Sequence, residues 1–287
     1  MRASSNGRTF TSMRSPNSLT ADSMNIVFVG AGRVATSLSL ALAKAGHHIL
    51  QVYSRTETSA KALADRLGAD YTTDIDKLVG GADVYIIALT DTALSGLASW
   101  ITQGREDCLF VHTAGSMSID TLTCRRRGVF YPMQTFSLER LVDFEHVPCF
   151  VEASSDSDQE LLRALASSIS GSVYALSSCD RMYLHLAAVF CCNFSNHCYA
   201  IAERLLQEHG VPFEVMLPLI DETAAKAHTM SPVVGQTGPA ARNDHDVMRR
   251  QELMLSDKPV WQQIYRLMSQ DIQNFSGNSE QSGNAGN

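Results

Sequence analysis

The run HLAAVFCCNFSNH places His185, Asn193, Asn196 and His197 in an otherwise apolar stretch. On a uniform helix starting from His185, Asn196 falls at about 20°, Asn193 at about 80° and His197 at about 120°. A helix apolar nearly all round is buried, so a polar stripe on it needs partners or a cavity. Two readings stay open. The stripe is a core polar network or a dimer seam, or it faces a reacting group, with His185 and Asn193 as catalytic candidates. Imidazole suits proton donation near neutral pH, and a carboxamide can orient a carbonyl. Metal ligation is not expected, because the two histidines lie about three turns apart without a carboxylate.

A second group of candidates lies near the start of the chain. Ile26–Val29 is a β-branched run followed by Gly30-Ala31-Gly32-Arg33-Val34-Ala35, a GxGxxA pattern. A strand, a glycine turn and a helix start in that order form a pyrophosphate cradle at a helix N-terminus. Gly30, Ala31, Gly32, Arg33 and Val34 are therefore expected to bind a nucleotide. The next strand ends in Tyr53-Ser54-Arg55-Thr56, with no acid to accept from ribose hydroxyls. Ser54, Arg55 and Thr56 suit a 2′-phosphate instead, which selects NADP(H) over NAD(H).

Further polar loops follow later strands. Leu89 and Thr90 end one, and His112-Thr113-Ala114-Gly115-Ser116 ends another. Leu89, Thr90, His112, Thr113 and Ala114 are expected beside the nicotinamide half. Ser116 is a candidate for substrate binding or, alternatively, a helix N-cap. Gln134 and Thr135 follow a later strand and are expected to line the pocket. In the C-terminal third, Glu222 and Lys226 form an i, i+4 pair, either a surface ion pair or a site lysine. Thr237-Gly238-Pro239-Ala240-Ala241-Arg242 is expected to open a helix with proline in its first turn. Arg242 could there clamp a carboxylate, with Asp244 as its alternative partner.

The elements that hold these residues follow from periodicity. Strands are expected at Ile26–Val29, Ile49–Tyr53, Val84–Ala88, Cys108–Val111, Val129–Tyr131, Val147–Val151 and Ser172–Ala175. Helices are expected at Val34–Ala45, Thr58–Leu67, Thr92–Trp100, Ile119–Cys124 and near Asp158–Ser168. This alternation implies an α/β fold with a Rossmann-type, doubly wound parallel sheet. Beyond Cys179 only helices are expected: Met182–Gln207, Phe213–His228 kinked at Pro218, Ala240–Leu255 and Pro259–Asn274. The domains are thus 24–177, nucleotide-binding, and 178–275, all-helical. The polar segments 1–23 and 276–287 are expected to be a disordered leader and tail.

Composition excludes several classes. In 287 residues, 45% are hydrophobic and 18% charged, and the net charge of −7 argues against a nucleic-acid partner. Arg125-Arg126-Arg127, the one basic cluster, is expected to be a solvated helix end. No uninterrupted apolar span of about 18 residues predicts a membrane helix. Seven cysteines without ligand-like spacing fit a reducing compartment, the cytoplasm, with Cys191 and Cys192 as small hydrophobes.

Together GAGRVA, HTAGS, the His185-to-Asn193 spacing and TGPAARND carry a resemblance. The N-terminal half resembles the NADP-binding domain of deazaflavin-dependent NADP oxidoreductases, pyrroline-5-carboxylate reductases and β-hydroxyacid dehydrogenases. Residues 24–275 resemble a bacterial family pairing that Rossmann-like domain with a C-terminal helical domain of unknown function. The plan this implies is 6-phosphogluconate-dehydrogenase-like. Some relatives are alternative-type ketopantoate reductases, which implies reduction of a small 2-keto acid by NADPH. Relatives often carry asparagine at the position of Lys226, which weakens that lysine as a proton donor. They commonly carry glycine where this chain has Asn243. The broader relatives dimerise through their helical domains, which implies a homodimer here. The rival readings are a non-catalytic NADP(H) sensor and, more weakly, hydride transfer with a deazaflavin coenzyme.

Overall fold

The computed structural model describes residues 23–138 and 140–283, and the expected leader falls almost wholly outside them. The chain forms two compact units, 1–192 and 193–287.

The first unit is built on one eight-stranded sheet. Its strands are β1 (Asn25–Val29), β2 (His48–Tyr53), β3 (Asp70–Thr72), β4 (Val84–Ile87), β5 (Leu109–His112), β6 (Arg127–Pro132), β7 (Cys149–Ala153) and β8 (Val173–Ala175). Their spatial order is β3-β2-β1-β4-β5-β6-β7-β8. All neighbouring pairs are parallel except β6 with β7. The α/β expectation holds, with two differences. Strand β3 was not expected, being only three residues long. The parallel sheet also acquires a reversed edge, because β7 runs back along β6 and β8 follows β7.

The central strands are buried on both faces, and their alternation divides the core in two. Ile26 and Phe28 of β1, Val84 and Ile86 of β4, and Leu109 and Val111 of β5 point to one side. There they meet Leu38 and Leu42 of α1 (Arg33–Lys44), Leu63 of α2 (Glu57–Leu67) and Leu162 of α4 (Asp156–Ser167). Val27, Val29, Tyr85, Ile87 and Phe110 point to the other side, against Leu94, Ala98 and Ile101 of α3 (Asp91–Thr102). Period-two side chains on a sheet covered by helices on both faces give this three-layer arrangement.

Helix α5 (Ser178–Ala188) belongs to the first unit although its sequence opens the helical region. The reason is polar. Arg181 Nη1 donates to Glu152 Oε2 of β7 at 2.5 Å, and its Nη2 donates to the Met117 carbonyl. The Ser178 amide and hydroxyl donate to Glu152 at 2.9 and 2.7 Å. Arg125, Arg126 and Arg127 are not a solvated helix end. They pair separately with Asp107, Asp158 and Asp120, and Asp158 is buried.

A π-helical turn, Val189–Phe194, follows α5, and the second unit then holds four α-helices among its described residues. These are α6 (Ser195–Glu208), α7 (Leu217–Thr229), α8 (His245–Met254) and α9 (Pro259–Gly283). Helix α9 reaches into the polar stretch expected to be an unpacked tail, and residues 284–287 lie outside the described residues. Pro218 does not kink a helix but opens α7, where a missing N–H costs nothing. Residues 119–121 form one 3-10 turn rather than an α-helix. Among the described residues no helix is long and apolar enough to cross a membrane, and the seven cysteines are free. Cys191 and Cys192 are exposed rather than packed as small hydrophobes.

Candidate functional site

The nucleotide cradle starts where β1 ends. The Gly30 amide donates to the Tyr53 carbonyl at 2.8 Å, which ties the glycine turn to the end of β2. Gly30 has φ of 122°, and a Cβ there would sit 2.3 Å from the Ala88 carbonyl oxygen. Only glycine satisfies both limits. A Cβ on Gly32 would meet nothing within 4 Å, so the space over the N-terminus of α1 is open. Gly32 is also the N-cap and supplies no side-chain acceptor, so the amides of the first turn keep their capacity for an anion. Arg33 opens the helix and is exposed.

Beside this turn, Ser54 is half-buried while Arg55 and Thr56 are exposed. Among the described residues Arg55 has no ion pair. Thr56 is the N-cap of α2 but makes no cap bond; its hydroxyl donates to Ser59 Oγ at 2.8 Å. An open pyrophosphate cradle, a free guanidinium and hydroxyls at the end of β2, and no carboxylate in Tyr53–Thr56 fit a 2′-phosphorylated dinucleotide.

The later loops are shaped by their own hydrogen bonds. Thr90 caps α3 by accepting from the Ala93 amide at 3.4 Å, and Leu89 would be 3.4 Å from a Cβ on Gly30. The Thr113 amide donates to the Ile87 carbonyl at 3.1 Å, joining the ends of β4 and β5. His112 is fully buried. Its Nδ1 accepts from the Ala114 amide at 3.2 Å, so its Nε2–H donates to the Ser118 carbonyl, also at 3.2 Å. Burial, and secondarily the Arg181 charge, push this imidazole down to about 4, so it is neutral. Both ring nitrogens of His112 are thus engaged in shaping the loop.

Ser116 donates its hydroxyl to Asp91 Oδ2 at the start of α3. It is not an N-cap, since Ser118 caps the following 3-10 turn by accepting from the Asp120 amide at 3.2 Å. With its proton engaged by Asp91, the Ser116 oxygen keeps acceptor capacity. Gln134 turns its Oε1 back on the Thr135 amide at 2.8 Å. Both residues line a cavity of about 560 Å³ with Phe136, Arg140, Val142 and Asp143.

His185 lies in α5, one turn beyond Arg181, and is half-buried. A Cβ on Gly115 would be 2.7 Å from its Nδ1 and 2.9 Å from Tyr131 Cε2. The HTAGS loop is thus pressed against both rings, which only a glycine allows. The Tyr131 hydroxyl is 3.2 Å from His185 Nδ1, and the rings meet edge to face with centroids 6.1 Å apart. Burial raises the Tyr131 phenol; the Arg181 charge opposes this and Cys192 adds to it. Tyr131, Asp91 and Arg181 are hydrogen-bonded to or beside the expected site residues, and sequence reasoning did not single them out. Gly115 was the available signal, because an invitation to close approach implies something approaching.

The uniform helix assumed for the polar stripe is also corrected. The π turn adds a residue per turn, so side chains beyond it fall back by about 100°. The uniform wheel therefore does not carry through this segment, and Asn193 lies within the π turn itself. Asn193, Asn196 and His197 are exposed.

In the helical unit, Lys226 Nζ lies 3.6 Å from Glu222 Oε1, a surface pair. Residues 239–243 form turns rather than a helix start, and α8 begins only at His245. Its N-cap is Asp244, which accepts from the Val247 amide at 3.2 Å and so does not hold Arg242. Arg242 is exposed. Asn243 has φ of 54°, the left-handed conformation that glycine would adopt freely. Among the described residues no group of three potential ligands could hold a metal ion.

Comparison with known proteins follows the same division. A Rossmann-like domain profile matches residues 11–133, and the profile of a domain of unknown function, DUF2520, matches 147–272. A crystal structure of a candidate NADP oxidoreductase from Bacteroides fragilis is 49% identical, with a TM-score of 0.84, covering 88% of this chain and 98% of that one. A Thermotoga maritima protein is 21% identical with a TM-score of 0.68, covering 89% and 99%. An imine reductase from Myxococcus stipitatus, in complex with NADP+, is 17% identical with a TM-score of 0.60, covering 90% and 95%. The last two likenesses concern the fold. No curated protein matches the chain. Open glycine cradle, reversed sheet edge and near-complete coverage at 49% identity agree, and the chain belongs to the Rossmann-like NADP oxidoreductase family whose C-terminal domain is DUF2520.

Proposed function

We propose that the protein is an NADPH-dependent reductase of a small carbonyl substrate, with a 2-keto acid such as ketopantoate as the first class to test. One observation carries this reading: an imidazole, His185, is packed on Gly115 at the carboxyl end of β5, in the unit that holds the open glycine cradle. Gly30, Gly32 and the α1 amides would hold the pyrophosphate, and Ser54, Arg55 and Thr56 the 2′-phosphate. When bound, NADPH supplies the hydride. His185 would donate its ring N–H to the carbonyl oxygen as that oxygen gains negative charge, a contribution typically of about 10²–10⁴ in rate. The neutral His112 keeps the HTAGS loop in shape without adding a charge beside it.

The Bacteroides relative supports oxidoreductase chemistry, and the NADP+ complex of the imine reductase supports the cofactor. We further read the protein as a homodimer. Phe194, Val215, Leu219, Val234, Leu253, Met254 and Leu267 of the helical unit are each at least half exposed. An apolar surface of that extent calls for a partner, and a second copy is the commonest one. The free cysteines accord with a reducing cytoplasm.

Titration with NADPH and NADH, followed by a panel of 2-keto acids, aldehydes and cyclic imines, tests the reading. NADPH should bind more tightly, and Arg55→Ala should erase the difference. His185→Ala should cut turnover at least about tenfold while NADPH affinity is kept. Binding of NADPH without its oxidation across the panel would instead identify a sensor.

A further inference from the structure

We propose that Tyr131 is a positioning residue that fixes the tautomer of His185: its phenol donates to Nδ1, so the single ring proton of the imidazole resides on Nε2. The inference deepens the reductase reading and rests on it for its catalytic consequence. Three observations lead to it. The Tyr131 oxygen stands 3.2 Å from His185 Nδ1, and among the described residues of the first unit neither atom has another hydrogen-bond partner. The phenol is buried enough for its ionisation to be pushed upward, so at neutral pH it holds its proton and needs an acceptor. Gly115 then closes the third side, since its missing Cβ would overlap Nδ1 and Tyr131 Cε2. The imidazole is thereby held between a loop backbone and a phenol.

A neutral histidine has one donor and one acceptor nitrogen, and the partner of one decides the other. With Nδ1 accepting, Nε2–H is the donor offered to a substrate oxygen. The positive charge of Arg181, one helical turn away on α5, and the Cys192 thiol are the other ionisable groups felt by the phenol. Arg181 is already engaged by Glu152, Met117 and Ser178, so it acts on the pair as a fixed charge.

The test reads the tautomer directly. In protein carrying ¹⁵N-histidine, long-range ¹H–¹⁵N spectra distinguish a protonated ring nitrogen from an unprotonated one, and His185→Gln assigns the signals. Wild type should show Nδ1 unprotonated and Nε2 protonated. Tyr131→Phe keeps the ring against Gly115 and Phe150 and removes only the hydroxyl. It should move both His185 nitrogens toward averaged values, lower kcat about tenfold, and leave KM and NADPH affinity nearly unchanged. A protonated Nδ1 in the wild type, or signals unmoved in Tyr131→Phe, overturns the proposal, and the first of these needs no variant at all. Failure of the reductase reading looks different: the tautomer responds to Tyr131→Phe, yet wild-type protein oxidises NADPH with no substrate.

Discussion

The two units are stabilised in opposite ways. In the first, Ile26, Val27, Phe28 and Val29 of one strand are completely removed from solvent, and each face of the sheet closes over its own helices. In the second, Ala240 and Leu255 are the buried apolar side chains among the described residues, while Leu219, Val234, Leu253, Met254 and Leu267 stand exposed. What holds it locally is polar: Lys258 with Glu208, Arg266 with Glu252, Tyr265 with Gln251, and Gln273 with Asn243. The first unit completes its core from its own sequence. The second carries apolar surface left open within the chain, and exposed ion pairs are too weak to replace its burial.

The largest expected effect lies where the first unit buries charge. Arg181 is 1% exposed and its partner Glu152 is 19% exposed. Arg181→Met should destabilise the first unit by about 3–5 kcal/mol, because Glu152 would keep its charge without its counter-ion. It should also loosen α5 and thus reduce turnover. Urea unfolding followed by tryptophan-independent signals such as far-ultraviolet circular dichroism would measure the first effect. A loss comparable to that of an exposed pair would break the contrast.

Apolar truncation sharpens the comparison directly. Leu38→Ala, in the closed core, should cost about 2–5 kcal/mol at any protein concentration. Leu219→Ala, on an exposed face of α7, should change unfolding of a dilute sample by less than about 0.5 kcal/mol. It should instead raise the dissociation constant of the proposed homodimer, measured by sedimentation. Equal effects of the two substitutions on dilute protein would show that the helical unit has a closed core after all.

The pH dependence should also belong to the first unit. His112 is held down to about 4 by burial, and burial likewise lowers His47. An imidazole depressed in the folded state is neutral there and takes up its proton only on unfolding. The stability it contributes is present above its unfolded value of about 6.5 and is lost as pH falls from there to about 4. For His112 the total is about 3 kcal/mol. His112→Gln, which can accept from Ala114 and donate to Ser118, should flatten this slope. A slope unchanged in His112→Gln would assign it to other groups.

The same contrast explains what was legible in the sequence. The GxGxxA turn, the buried strands and the open end of β2 are local features, encoded within a few residues of where they act. Tyr131 was hidden because it is an ordinary strand residue whose partner is 54 positions away. Arg181 looked like any helical arginine, and only the fold brings Glu152 to it. The wheel drawn from His185 failed for a subtler reason, since apolar patterning does not announce a π turn. The TGPAAR segment misled because glycine and proline punctuate turns and helix starts alike.

The smallest effect tests that last segment. Asn243 occupies left-handed backbone with φ of 54°, and its Oδ1 accepts from Gln273 of α9 at 2.9 Å. Asparagine tolerates this conformation better than other residues with a Cβ, and glycine tolerates it without strain. Asn243→Gly therefore loses one exposed hydrogen bond but relaxes the backbone, and should stay within about 0.5 kcal/mol of wild type. Asn243→Ala loses the bond and keeps the strain, and should cost about 1–2 kcal/mol. The order Gly above Ala is the informative result, read as the difference in Tm between the two variants. If Ala equals Gly, the hydrogen bond to Gln273 carries the turn and its left-handed residue does not, which would make the helical unit still more dependent on polar pairs than its open apolar face implies.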